Sequence, residues 1–389
     1  MVSLAPGEFA SGYWGRRPLL SRAASLPAPS HGFDAAAVDE LLSRRALRTP
    51  FLRMARDGVT LDPRDLTLGG GVGAAIGDQV SEDKVLRQFA DGATIVLQGL
   101  HRTWEPVSRT ARELAADLGH PVQVNAYVTP PQNRGFDDHY DVHDVFVVQV
   151  EGEKHWRVRT PVLEAPLRHE PWTDRREAVA AAADAEPVVD AVLRPGDCLY
   201  LPRGWLHSAT ALGGTSIHLT FGVHVWTGRT LADDLLAAAG RRLDADPALR
   251  ESLPVGVDAL DPRTTSRARD ALRDSVLRAL DAVSDEELAA ALARRARAAE
   301  RAEPLGVLAQ HRSAGAEVGP RWRVRRGLAA RWEGDALVSR IGRFEATGAD
   351  RRGLESLLTG AVTPEAMDEA LRRRLVLAGV LVLDDDLED

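Results

Sequence analysis

Imidazoles and carboxylates concentrate in the stretch GFDDHYDVHDVFVVQVEGEKHWRV, residues 135–158. Within it His139 and Asp141 stand two apart, so in an extended segment both side chains leave the same face. Sixty-six residues beyond Asp141 comes His207, just after the Pro202-Arg203-Gly204 turn in GDCLYLPRGWLH. Two imidazoles and one carboxylate on a rigid β scaffold can occupy one face of an octahedral metal ion. The opposite face then stays open for substrate and dioxygen, the arrangement of non-haem Fe(II) oxygenases. Magnesium or calcium would want more oxygen ligands, and zinc favours a closed tetrahedron.

His-x-Asp alone is a weak signal in a chain with eleven histidines, and His143, His155, His218 and His224 all lie nearby. The combination carries more. It joins His-x-Asp at a strand start, a long apolar strand, and a second histidine set in G-D-x-L-Y-L-P-x-G-W-x-H. His143 and His155 read as packing residues. His218 shares a strand face with Ser216 and Thr220, and either lines a pocket or serves the core. Arg203 and Trp205, close before His207, read as turn and packing residues.

The elements that must position these groups lie between Val122 and Val225. Short β-type runs follow one another there: 124–129, 144–152, 154–159, 197–202 and 216–226. Turn formers (PPQNRG, EGE, RPGD, PRGW, GG) separate them, which predicts an antiparallel sandwich or barrel. The Ala-rich insert around Arg175–Asp184 predicts a surface helix. Upstream, 34–45 reads as a helix capped by Asp34, and Thr103–Leu118 as another. Gly69–Gly77 (GGGVGAAIG) has neither the third glycine nor the Lys-Ser/Thr of a phosphate loop, so it reads as a plain loop. Residues 229–302 are helical in pattern, with Ser284 and Glu287 spaced as a capping box. Leu272, Val276, Leu277 and Leu280 form a stripe that must bury against the body or a second copy. From Arg321 the pattern becomes strand–turn–strand, helix, helix and strand, compatible with a small winged-helix-like module ending in an acidic tail.

The 389 residues suffice for two or three domains, and 44% hydrophobic with 27% charged residues excludes wholesale disorder. A lone cysteine, Cys198, excludes a disulfide framework and Cys-based zinc sites. The absence of a basic-then-apolar leader or a long apolar run predicts a cytoplasmic chain with no membrane partner. A net charge of −8 argues against direct nucleic-acid binding. Only two of the 49 basic residues are lysines, Lys84 and Lys154; the Arg-rich, Ala-rich usage fits codon bias.

GFDDHYDVHDVFVVQVEGEKHWRV followed by LRPGDCLYLPRGWLHSA resembles the JmjC-type cupin oxygenases, and more narrowly their ribosomal oxygenase branch. YWGRRPLL near the start and NAYVTPPQNRGF before His-x-Asp are similar to that branch too. The resemblance implies an α+β chain with a double-stranded β-helix (cupin/jelly-roll) core and N-terminal helices over 1–227. It implies a helical, dimerising region over 228–310 and a winged-helix-like module over 311–389. By the family's motif, Fe(II) falls on His139, Asp141 and His207, with no separate catalytic acid or base. The distal carboxylate of 2-oxoglutarate falls to Lys154, a position that spacing alone reads as a solvated turn lysine. A desolvated carboxylate needs a cationic, hydrogen-bonding partner, which supports that assignment. Tyr127 and Thr129, and also Asn125, share a face of the preceding strand and are candidate donors to the same group. The implied activity is dioxygen-dependent hydroxylation of a side chain in a ribosomal protein by a homodimer. The alternatives are an oxygenase of a free amino acid, small peptide or natural-product intermediate, a non-catalytic cupin that binds or regulates, and, on fold analogy alone, a histone demethylase.

Overall fold

Strand-forming runs with strict alternation dominate the first part of the chain, and they assemble into one antiparallel sheet. The computed structural model describes residues 1–28, 30–72, 75–134, 136–253, 255–258, 260–315, 322–358 and 367–384. The chain divides into two units, Met1–Trp226 and Thr227–Asp389.

Nine strands make the main sheet of the first unit: β1 (Leu19–Ser21), β2 (Leu52–Arg56), β3 (Val59–Thr60), β4 (Thr94–Leu97), β5 (Val122–Thr129), β6 (Asp144–Arg159), β7 (Val189–Leu193), β8 (Cys198–Leu201) and β9 (Leu206–Val223). Their order is β1-β8-β6-β9-β5-β4-β2-β3, with β7 added alongside β6. The two long central strands, β6 and β9, pair with each other over nearly their whole length. One face of β5 and β9, carrying Val124, Ala126, Val128, Leu219 and Phe221, packs into a core shared with Phe33, Val38, Leu41 and Val107 of the N-terminal helices. The opposite face presents Asn125, Tyr127 and Thr129, whose cross-strand partners are Thr220, His218 and Ser216.

Two expected turns are instead interruptions inside long strands. Glu151-Gly152-Glu153 does not separate two strands; β6 runs through it, as β9 runs through Gly213-Gly214. Both irregularities sit where the β6–β9 register shifts. The extra residue has a purpose visible in the packing. Before it, the odd-numbered Val145 and Val147 belong to one buried cluster; after it, the even-numbered Trp156 and Val158 do. A one-residue change of register exchanges the two faces of a strand. The bulge therefore keeps Lys154, Trp156 and Val158 on the interior side.

The smaller expectations fare variously. The Ala35–Arg44 helix forms, with Asp34 accepting from the Ala37 amide at 2.8 Å. The expected 103–118 helix is Glu105–Leu118, preceded by a separate turn at Leu100–Thr103. The insert carries a helix at Arg176–Ala182, anchored by buried Val179. In the glycine-rich loop, residues 73 and 74 lie outside the described residues, and a two-stranded ladder flanks it.

In the second unit, helices run Gly228–Asp244, Pro262–Asp281 and Asp285–Ala299. Ser284 accepts from the Glu287 amide at 3.3 Å, but Glu287 does not return the bond. Its carboxylate pairs with Arg241 and Arg242 instead, leaving only half of the expected capping box. The reciprocal box forms at Thr227 and Thr230. Arg295 binds Asp234 at 2.7 Å. Leu272, Val276 and Leu277 remain exposed. Further on, strands β10 (Trp322–Val324), β11 (Arg331–Glu333), β12 (Ala336–Ser339), β13 (Gly342–Glu345) and β14 (Leu381–Leu383) form a β10–β14 pair and a β11–β12–β13 sheet. They share a core of Trp322, Leu337, Leu354, Leu375 and Leu381 with the Gly348–Leu358 and Glu369–Leu377 helices. No described helix is long and apolar enough to cross a membrane.

Gly152 adopts φ +65°, and a Cβ there would lie 2.2 Å from the Thr215 carbonyl oxygen. Gly152→Ala is therefore expected to destabilise the first unit by at least about 2 kcal/mol. Gly214→Ala, whose Cβ meets nothing within 4 Å, should shift stability by less than about 0.5 kcal/mol. Urea denaturation of the two variants checks the difference.

Candidate metal centre

His139, Asp141 and His207 each offer one ligating atom, and the three atoms lie within 4.8 Å of one another. Backbone pairing brings two of them together. The His207 amide donates to the His139 carbonyl at 2.8 Å, and the His139 amide donates back at 3.2 Å. The imidazole centroids are consequently 4.4 Å apart. Asp141 is tied into the same corner, its carbonyl accepting from the Gly204 amide at 3.0 Å. Gly204 has φ +89°, and a Cβ there would lie 2.5 Å from the Leu163 carbonyl oxygen. That explains the glycine in the Pro-Arg-Gly turn before His207.

Hydrogen bonding also sets which imidazole nitrogen is available. His139 Nδ1 lies 2.7 Å from the Asp137 carbonyl oxygen, and His207 Nδ1 lies 3.0 Å from that of Trp205. A carbonyl only accepts, so each Nδ1 carries the proton and each Nε2 keeps its lone pair for a ligand. His207 Nε2 faces Asp141 Oδ2 at 3.8 Å. Burial pushes the His207 pKa down to about 4, helped by the charge of His139. Burial also raises that of Asp141, but His143, His207, His139 and Arg53 together hold it below the usual carboxylate range. A neutral His207 beside an ionised Asp141, with the Nε2 of His139 next to them, forms a donor set ready for a divalent cation.

Neighbouring residues brace the corner. Asp138, next to His139, accepts from Arg159 at 2.6 Å and from Ser208 at 3.0 Å. Buried Asp144 accepts from the Tyr200 hydroxyl and from the Arg203 amide. Trp205 Nε1 donates to the Arg16 carbonyl at 3.2 Å, so Arg203 and Trp205 do hold the turn. Trp14 of the YWGRRPLL segment stacks on Tyr200.

Lys154, on the same face of β6 as Trp156 and Val158, is 4% exposed, and its Nζ donates to Thr129 Oγ1 at 3.0 Å. Burial lowers its pKa to about 7. No carboxylate pairs with it among the described residues. Tyr127 stacks on His218 with centroids 4.9 Å apart, and burial raises its pKa. Asn125 Oδ1 accepts from the Gly99 amide at 3.1 Å. Lys154 and Thr129 are thus brought into contact, while Asn125 is engaged with the Gly99 turn. His155 pairs with Asp190, and His143 stacks on His224.

Some neighbours of the centre carried no sequence signal. Arg53 of β2 lies over the Phe136 ring at 5.3 Å and adds its charge to the surroundings of Asp141. Trp172, from the insert, has its ring 6.1 Å from that of His139. Both come from segments remote in sequence, and nothing in their local spacing marks them.

Comparison with known proteins sets this geometry in context. Residues 101–231 match the JmjC domain family. Ribosomal oxygenase 1 from Gallus gallus is 31% identical over 283 residues, spanning 67% of this chain and 44% of the relative. Ribosomal oxygenase 2 from Mus musculus is 35% identical over 167 residues, 42% of this chain and 34% of the relative. The bifunctional lysine-specific demethylase and histidyl-hydroxylase NO66 of Drosophila persimilis is 42% identical over 107 residues, 26% and 14% of the two chains. The chain thus spans less than half the length of these relatives. Among solved structures, the ribosomal oxygenase YcfD of Escherichia coli matches with a TM-score of 0.57 and 16% identity, covering 99% of both chains. A YcfD structure in complex with cobalt and 2-oxoglutarate matches with a TM-score of 0.57 and 17% identity, again over 99% of both.

The donor set predicts binding of one divalent ion per chain. Isothermal titration with Mn(II) should show one site in the wild type. Asp141→Ala should weaken it by more than about 100-fold. His155→Ala, which removes the partner of Asp190, should leave the affinity unchanged.

Proposed function

The chain carries a JmjC domain and is similar to the ribosomal oxygenases, and from that premise we propose that it is a 2-oxoglutarate- and Fe(II)-dependent dioxygenase hydroxylating an amino-acid side chain in a ribosomal protein. The observation that carries the reading is the conjunction of the His139–Asp141–His207 cluster with the buried cation of Lys154. Either feature alone has bland explanations. Together they provide both ends of a site for a 2-oxo dicarboxylate.

In this proposal His139, Asp141 and His207 hold the iron. The fit rests on their two available Nε2 atoms and one ionised carboxylate, a donor set suited to iron(II). With 2-oxoglutarate and dioxygen, bound iron supplies oxidation of an unactivated C–H bond, with succinate and carbon dioxide as co-products. The side chains bind and orient. Lys154 neutralises the distal carboxylate of 2-oxoglutarate, Thr129 directs the ammonium, and Tyr127 adds a hydroxyl on the same strand face. Asn125, two residues further along that face, contributes by holding the Gly99 turn. Tyr127, Phe136 and Trp156 surround these groups with apolar surface and keep bulk water away from the reacting centre.

We also infer the division of labour along the chain. Residues 1–227 form the catalytic domain, 228–310 a helical region that dimerises the chain, and 311–389 a winged-helix-like module. Support for dimerisation comes from Leu272, Val276 and Leu277, a stripe left exposed on the Pro262–Asp281 helix. The acidic charge of −8 favours a basic protein partner over nucleic acid. A cytoplasmic location follows from a ribosomal substrate.

The reading is tested by following succinate formation from 2-oxoglutarate with added Fe(II) and ascorbate. Ribosomal proteins from cells with and without the gene are then compared by mass spectrometry for a lost gain of one oxygen atom. Turnover undiminished in His139→Ala would sink the site assignment. Turnover confined to a free amino acid or small peptide would sink the ribosomal substrate.

Lys154 gives a pH-dependent prediction. Its pKa of about 7 means the free site is mostly neutral at pH 8. A bound carboxylate favours the charged form, so binding at pH 8 should take up close to one proton. Affinity for 2-oxoglutarate should fall as pH rises above 7, approaching about tenfold per unit. Titration calorimetry in two buffers of different ionisation enthalpy checks the uptake. Lys154→Ala should lose it, bind 2-oxoglutarate about 100-fold more weakly, and still bind Mn(II).

A further inference from the structure

His218 is a buried imidazole that the mechanism above leaves unused. It lies on β9 opposite Tyr127, with its ring stacked flat on the tyrosine, 4.9 Å between centroids and 4° between planes. Its other flank meets the Trp156 ring edge-on at 5.4 Å. Trp156 in turn lies 6.0 Å from the His207 ring. The ionisable groups that act on His218 are Lys154 and then His207, the two ends of the site assigned above. The imidazole therefore sits between the metal corner and the buried ammonium.

Burial, reinforced by the Lys154 charge, holds His218 well below its usual pKa, so the ring is neutral and carries one N–H. Its Nδ1 is buried with no hydrogen-bond partner. Trp156 Nε1 is in the same position, and so is Gln149 Oε1 on the residue that pairs with His218 across the strands. Buried polar atoms are normally satisfied, and each orphan costs free energy that some partner must recover. The three orphans cluster on His218, its ring neighbour Trp156 and its cross-strand partner Gln149, a group of polar atoms that the protein alone leaves unsatisfied. His139 and His207 both have Nδ1 tied to a backbone carbonyl, whereas that of His218 is tied to nothing.

We propose that His218 is a co-substrate-binding residue, donating its Nδ1–H to a carboxylate oxygen of 2-oxoglutarate and so completing, with Lys154, the recognition of the dicarboxylate. This rests on the oxygenase reading of the same site. The flat stack on Tyr127 fixes the ring plane, and the edge contact with Trp156 prevents rotation about it. The donor is thereby oriented before the ligand arrives, which lowers the ordering cost of binding.

The test uses the full chain loaded with Mn(II), with 2-oxoglutarate titrated by calorimetry. His218→Phe keeps a ring to stack on Tyr127 and removes the donor; His218→Asn restores a donor. His218→Phe is expected to weaken 2-oxoglutarate binding about tenfold or more, with Mn(II) affinity and melting temperature unchanged. His218→Asn should recover affinity to within about threefold of the wild type. Wild-type affinity in His218→Phe overturns the proposal, because the orphan atom is then met by water alone. Equal loss in both variants overturns it too, because the hydrogen bond is then not what matters. If the wild type binds Mn(II) but no 2-oxoglutarate at all, the oxygenase reading itself fails, and this proposal with it.

Discussion

A lysine ammonium buried with one hydroxyl as its protein partner is the constraint on which the site depends. Lys154 Nζ reaches Thr129 Oγ1, and Thr129 is itself met by Thr94 at 3.2 Å. Two hydroxyls cannot offset the hydration a full charge loses on burial, and the pKa falls accordingly to about 7. A fold built for stability alone would place leucine there. The position makes physical sense as one half of an ion pair whose other half is a bound anion.

The architecture can be understood as what is needed to put that cation within reach of the metal corner. β6 and β9 each span the whole site, carrying Lys154 and Trp156 on one and His207 and His218 on the other. Long strands with strict alternation would send Lys154 to the wrong face. The bulge at Gly152 corrects the parity, and only glycine fits there because the Thr215 carbonyl passes so close. The same economy appears at Gly204, where a tight approach to Leu163 lets the turn bring His207 back beside His139. Two glycines in special conformations thus position the cation and one of the three metal-binding side chains.

These dependencies explain what could and could not be read from sequence. His139, Asp141 and His207 were legible because ligand chemistry demands those residue types, and the two-residue spacing translates directly into a shared face. Lys154 is given to the co-substrate only by the family motif; the EGEK context alone reads as a solvated turn. That reading failed because a strand bulge and a reverse turn use the same residues, glycine flanked by polar side chains. Thr129 is placed by alternation, and its contact with Lys154 arises because β5 and β6 flank the same strand, β9. Arg53 and Trp172 were invisible: each reaches the centre from a separate segment, and tertiary proximity has no local periodicity. For the same reason the sequence does not decide whether His218 belongs to the pocket or to the core.

The metal corner illustrates how charge is managed without a dedicated base. Two cationic imidazoles beside Asp141 would repel a divalent ion, and a protonated Asp141 could not ligate it. Burial resolves the first problem at His207 by keeping it neutral, and positive charge around Asp141, of which Arg53 is the permanent part, holds its pKa below the usual carboxylate range. The carbonyls of Asp137 and Trp205 then select the tautomer in which each Nε2 is free. Each of these effects comes from a different part of the fold: the strand pairing, the loop before His139 and the turn before His207. The same rule separates His218 from the two ligand histidines. Their Nδ1 atoms are committed to backbone, whereas its Nδ1 is buried without a partner, a state that costs free energy.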